Sequence, residues 1–403
     1  MSVTRSSNSV FSADLRLPPP SLRVLAAAAF LLAVGAAYLA LTVGFRLAAL
    51  YGIGAVLGLV LYHATFGFAA SWRGFLKNGK SAGLRAQVVM LALATAIFFP
   101  LLSMGELFGQ RLSGAVAPLG LSVLVGAFLF GIGMQLAGAC ASGTLYTVGG
   151  GSTRMIITLI FFMIGSLIGT AHLPWWLSLQ SFGSHSVLQH LGLGPALGLQ
   201  LGVFLVFFWV FGLIEKGRCG AVEPIFSLRG FSGQQFLRGP WPLVIGAMGL
   251  ALLNAATLAL AGHPWTVSFG YTLWGAKIVQ GLGLSPETWT FWQWSFPKQA
   301  LAGSIFANTT SVMNLGILVG AFLAAGLAGR FLPVWRLPWK SIAAAVLGGI
   351  LMGYGARLAF GCNIGAYFSG IASGSLHGWL WFASALTGSY LGLKVRPFFG
   401  LNT

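Results

Sequence analysis

Acidic side chains are almost missing from this chain: five Asp and Glu stand against 22 Lys and Arg in 403 residues. Charged residues of either sign make up only 7%, where a soluble domain carries about 25%. So few charges cannot wet a globule of this length, which excludes a soluble enzyme and leaves the bilayer as the matching solvent. Cysteine is scarce as well. Cys140, Cys219 and Cys362 are too few for a disulfide framework, and none forms a CxxC metal or redox pair. His172, His185 and His190 are spread too widely for a metal motif, and no cofactor is expected. No nucleotide-binding motif occurs, so ATP hydrolysis is not expected either. The excess of cations lies between apolar runs. It reads as positive-inside bias and contact with anionic lipid, not as a nucleic-acid surface.

What is present is apolar sequence, 57% of the chain. Runs such as Leu22–Leu41, Leu84–Leu102 and Leu243–Leu260 approach the roughly 20 residues that a span needs. The expected fold is an all-α polytopic membrane protein of about nine or ten spans. An internal repeat organises it. Residues 126–143 read GAFLFGIGMQLAGACASG and residues 348–365 read GGILMGYGARLAFGCNIG, so that Cys140 falls on Cys362 without a gap. Repeats of this kind build many transporters, with broken or re-entrant helices meeting at the bilayer midplane. The expected division is a disordered tail (1–21), a first membrane repeat (22–214), a cytoplasmic joint (215–240), a second repeat (241–396) and a short tail (397–403). Lys/Arg clusters at 73–85, in the joint, at 330–340 and at 394–396 mark the cytoplasmic side. With 46–80 and 265–296 both re-entrant, the halves are inverted and nine spans result. With a crossing at 46–71 there are ten, and the N-terminus lies inside.

Glycines crowd both repeat cysteines in the middle of apolar sequence: Gly138 and Gly143 about Cys140, Gly361 and Gly365 about Cys362. Such a pattern predicts broken helices, whose freed N–H groups bind anions. Ser142 and Asn363 add polar side chains beside the thiols. A thiol is small and polarizable, and suits a ligand that presents sulphur. Arg357 is an ionisable group within a span, a functional position by default. Together these residues point to a path for a sulphur-bearing anion. Two other readings stay open: a membrane thiol oxidoreductase, and a scaffold in which the cysteines are dispensable. Asn254 and Asn314 are expected to bond between helices, and Glu106 and Glu215 to be exposed at span ends.

The stretch GARLAFGCNIGAYFSGIASGS (355–375) resembles the signature of the YeeE/YedE family of sulphur-transport membrane proteins, and residues 54–86 are similar to that family's first segment. The resemblance implies uptake of thiosulphate or a related compound through an hourglass-shaped bundle in the bacterial inner membrane. It implies central loops that carry essential cysteines, here Cys140 and Cys362, and a TusA-like sulphur carrier that receives the cargo. The chain departs from the pattern at Gly67, where the family often has cysteine between two phenylalanines. That leaves room for another sulphur, selenium or oxyanion cargo. His63, four residues earlier, is a candidate donor in its place.

Overall fold

A computed structural model describes residues 18–226 and 231–401. Most of the expected N-terminal tail, Arg229 in the joint and the last two residues lie outside that range. The apolar runs are helices, because a helix satisfies its own backbone and hydrocarbon cannot.

The chain begins with α1 (Leu22–Thr42), α2 (Phe45–His63), α3 (Phe68–Asn78) and α4 (Ala82–Met104). After two short hairpin strands, α5 (Leu121–Ala137), α6 (Ala141–Gly149) and α7 (Thr153–Ser178) follow. The loop before α5 pairs with the loop after α7 through Pro118 opposite Ser184 and Gly120 opposite Ser181. Next come α8 (Val187–Leu191), α9 (Leu193–Cys219) and α10 (Gly233–Arg238), the last with a full capping box between Ser232 and Gln235. The remainder comprises α11 (Leu243–Ala261), α12 (Ser268–Gly281), α13 (Thr290–Gln293), α14 (Ser295–Ala302), α15 (Thr309–Ala328), α16 (Trp339–Leu358), α17 (Ser369–Ala372) and α18 (Leu376–Val395). A π-helical turn, Asn363–Phe368, leads into α17.

Among the described residues, nine helical stretches are long and apolar enough to cross a membrane. The 20-residue α18 falls outside that set and lies along α5. Small residues set these contacts. A Cβ added to Gly131 would sit 2.1 Å from the Ala385 carbonyl oxygen, and one on Gly388 would sit 2.0 Å from that of Phe128. Such approach is open only to residues without a side chain. The pairs run in one direction: Leu124 meets Ser384, Phe128 meets Gly388 and Ile132 meets Gly392, so α5 and α18 are parallel. By the same test α7 is parallel to α16 (Thr158 with Gly349, Phe162 with Gly353), and α2 to α15 (Gly54 with Met313, Gly58 with Ile317).

The stretch 46–80, expected to re-enter, is instead a full-length helix followed by a short amphipathic one. α2 keeps pace with α15 along its length, and α3 buries Phe68, Ala69 and Trp72 in the core before it ends where Gly79 abuts Arg218. The expectation for 265–296 agrees with the geometry. At 14 residues α12 is about 21 Å long, short of the roughly 30 Å hydrocarbon core. The chain then returns through α13 and α14, so that Pro264 and Thr310 line one cavity.

Glu215 differs from expectation. It is buried, accepts hydrogen bonds from Ser81 Oγ and Arg85 Nη2 (2.7 Å each), and locks the end of α9 to the start of α4. Arg85 also reaches the Glu223 carbonyl, so a cation of the 73–85 cluster is tied to the joint. Asn254 and Asn314 behave as expected. Asn254 donates to Ser369 Oγ (3.1 Å) and accepts from the Trp265 N–H (2.7 Å), and Asn314 donates to the Val267 carbonyl (3.0 Å). These bonds fasten the entry to α12 against α11, α15 and the segment after Cys362.

Candidate functional site

Each repeat cysteine stands at a helix break. α5 stops at Gly138, which takes φ 85°, a left-handed conformation that glycine adopts without strain. The freed carbonyls of Leu136 and Ala137 accept from the Arg154 guanidinium at the start of α7. Cys140 then caps α6: its Sγ accepts from the Gly143 N–H and lies 3.4 Å from Ser142 Oγ. The second break follows α16. Phe360 holds φ 56° and Gly361 φ 158°, and Trp381 Nε1 donates to the Gly361 carbonyl (3.2 Å). Cys362 heads the π-helical turn as its N-cap residue. Both thiols are buried, at 1% and 0% exposure, and are near enough to each other to interact electrostatically.

Between them lies Tyr271 of α12, which sequence reasoning did not single out. Its ring is fully buried, it is within electrostatic reach of both cysteines, and its hydroxyl donates to the Ala141 carbonyl (2.8 Å). Tyr146 of α6 is the other unforeseen neighbour. Gly143 sits between its ring and Cys140 Sγ.

A cavity opens on each side of this sealed centre. The larger, about 750 Å³, has Arg357, Phe360, Gly361 and Gly365 in its wall, so it reaches the Cys362 loop. The Arg357 guanidinium lies 5.0 Å from the centre of the Phe291 ring, and its Nε has no hydrogen-bond partner. The smaller, about 260 Å³, is lined by Tyr62, Tyr146, Arg154 and the 332–337 segment, and so reaches the Cys140 side. Asn363 is completely buried, and neither its Oδ1 nor its Nδ2 has a partner. An orphaned carboxamide in the interior is costly.

Of the predicted site residues, Gly138, Cys140, Ser142 and Gly143 come together at one break, and Arg357, Gly361, Cys362, Asn363 and Gly365 at the other. Gly67 joins the Cys140 side: a Cβ there would lie 3.6 Å from the Tyr146 hydroxyl. His63 does not join. Its ring packs 5.5 Å from Trp241, and its carbonyl accepts from the Trp241 N–H, so it belongs to the contact with the joint. Cys219 is exposed at the end of α9, beside the Asn78 carbonyl. Among the described residues no cluster of His, Cys, Asp or Glu could hold a metal ion.

Gly67 has extended backbone (φ −99°, ψ 110°) and only ordinary contacts around the added carbon, at 3.5 to 3.7 Å. Gly67→Cys is therefore expected to leave the thermal midpoint in detergent unchanged. Gly131→Ala, with its 2.1 Å clash, should lower it by many degrees.

The family described as Sulphur transport matches residues 63–391. The thiosulfate transporter TsuA of Spirochaeta thermophila is 30% identical over 81% of this chain and 92% of its own length. TsuA of Escherichia coli is 26% identical over 85% of this chain and 94% of its own. The probable transporter YedE of Escherichia coli is 35% identical, but the match spans 38% of this chain and only 37% of YedE. The match runs from the end of α2 through both helix breaks and most of α18, and the chain belongs to the sulphur-transport family of membrane proteins.

Proposed function

We propose that this chain moves a sulphur-bearing anion, thiosulphate first among them, through the membrane past Cys362 and Cys140. The observation that carries the reading is the placement of two buried thiols in series. Each stands at the start of a half-helix, between two cavities that approach from opposite sides. Likeness to two thiosulfate transporters over most of the chain supports the cargo.

Arg357 draws the anion to the floor of the larger cavity. Beyond it the anion sheds water, and the donors must replace that water. At Cys362 the S–H meets the terminal sulphur of thiosulphate, a large, soft acceptor. The Asn363 amide and the backbone N–H groups of the π-helical turn take the sulphonate oxygens. At Cys140 the Gly143 N–H and the Ser142 hydroxyl repeat the arrangement. Half-helix N-termini that face the centre add partial positive charge at both stations. The way out leads past Gly67 and Tyr146 to Arg154. The Lys/Arg-rich 330–340 segment supports a cytoplasmic position for the smaller cavity, and on this reading imported anion meets Cys362 first. A small sulphur carrier is the fitting recipient there.

The packing also supports two inverted repeats. α2–α7 and α11–α18 run in the same order apart from α13 and α14, which have no counterpart in the first unit; each closing helix lies on the other unit's broken helix, and α1 and α9 flank the pair on α15 and α4. These units are shorter than 22–214 and 241–396.

Expression in a bacterium stripped of its other sulphate and thiosulphate importers tests the cargo. Growth on thiosulphate as sole sulphur source is the expected result. No growth with well-expressed protein would overturn that cargo. Excess sulphate, which has no terminal sulphur for the thiols to meet, is expected not to compete.

A further inference from the structure

On the outer face of the bundle, a groove of about 750 Å³ lies between the first turns of α7 and the segment that leads into α16. Its walls include Thr153, Ile156 and Ile157 on one side and Trp335, Arg336 and Ile342 on the other. Three features fix the chemistry of an occupant. From the groove, Ile156, Ile160, Ile164 and Ile168 run down α7 as an exposed stripe four residues apart, a track for an acyl chain. Trp335 and Trp339 are 80% and 73% exposed at its mouth, as residues at the level of lipid head groups are. Among the described residues, charge there is of one sign. Arg336 and Lys340 are exposed, and the Arg85–Glu215 ion pair lies elsewhere. Glu106 and Glu287 belong to loops at the opposite end of the bundle, and Glu215 and Glu223 to the joint.

The groove shares a wall with the transport path. Thr153 and Leu337 line both it and the smaller cavity. The Thr153 hydroxyl donates to the Val334 carbonyl, and Arg154 Nε donates to Ser341 Oγ (2.9 Å) while its Nη atoms hold the break before Cys140.

We infer that this groove binds an anionic phospholipid, the phosphate at Arg336 and Lys340 and one acyl chain along the isoleucine stripe. The bound lipid holds the 332–338 segment in the wall of the smaller cavity. Binding does not depend on the cargo; the effect on flux rests on the transport reading above.

Lipid retention by the full chain, purified in mixed phosphatidylglycerol and phosphatidylcholine micelles and measured by native mass spectrometry, tests the site. Wild type is expected to keep phosphatidylglycerol preferentially. Each cation near the head group contributes about a fivefold preference, so Arg336→Gln with Lys340→Gln should lower it about twenty-fivefold. Both side chains are exposed, and the thermal midpoint should not move. Equal retention of the two lipids by wild type, or an unchanged preference in the variant, overturns the site. Wild-type flux in liposomes should fall when phosphatidylglycerol is left out, and the variant should not respond. Equal wild-type flux in both liposomes overturns the link to transport.

Discussion

Cys362→Ala is expected to cut thiosulphate uptake by about ten- to a hundredfold, and Cys140→Ala by a similar factor. A hydrogen bond to a charged group contributes about 1.5–3 kcal/mol, and 1.4 kcal/mol is a factor of ten. The thiols are the two stations at which no water can stand in, since each is 1% exposed or less. Alanine at either leaves the anion facing a methyl group at its least solvated point. The fold should survive, because each change removes one sulphur and, at Cys140, only a long 3.4 Å bond from the Gly143 N–H. Ser142→Ala, which loses only the 3.4 Å contact with Cys140 Sγ, should cost much less. Cys219→Ala should cost nothing, because Cys219 lies at the exposed end of α9. Uptake of labelled thiosulphate by cells, normalised to the amount of protein in the membrane, gives the factors. Wild-type rates in both alanine variants would remove the thiols from the path.

Glu215→Ala should be the most damaging substitution for stability that leaves the site untouched. Removing one partner of a buried ion pair costs about 3–5 kcal/mol, because the other charge stays buried without it. Here Arg85 would keep only Ser81 and the Glu223 carbonyl. The contact between α9 and α4 should loosen first. Thermal unfolding in detergent should show a large downward shift for Glu215→Ala. Ser81→Ala, which leaves the pair intact, should shift it little. A midpoint within error of wild type in Glu215→Ala would mean that the pair contributes nothing.

The membrane class, the helix breaks and the two cysteines were legible in the sequence, because each rests on a local signal. Apolar runs of span length, glycines around a rare residue and its recurrence 222 positions on (Cys140 to Cys362) need no tertiary information. The interior of the site was not legible in the same way. Tyr271 reaches Ala141 from 130 residues away, and Arg154 closes a helix end on the far side of α6. An aromatic in an apolar run and an arginine at a helix start give no sign of either role. Glu215 reads as solvated because it lies at a span end beside Lys216. Only the return of α4 beside α9 buries it. Re-entry of 46–80 was suggested only by its equivalence to 265–296, and local sequence could not show that Gly54 and Gly58 serve the close approach of α15.

The most direct test uses purified protein alone in sealed liposomes. Labelled thiosulphate is supplied outside, with wild type beside the Cys140→Ala/Cys362→Ala double variant. The account predicts saturable accumulation with wild type, and flux no greater than that of protein-free liposomes with the variant. Equal flux through both would contradict it, and would place the anion's path somewhere other than between these two thiols.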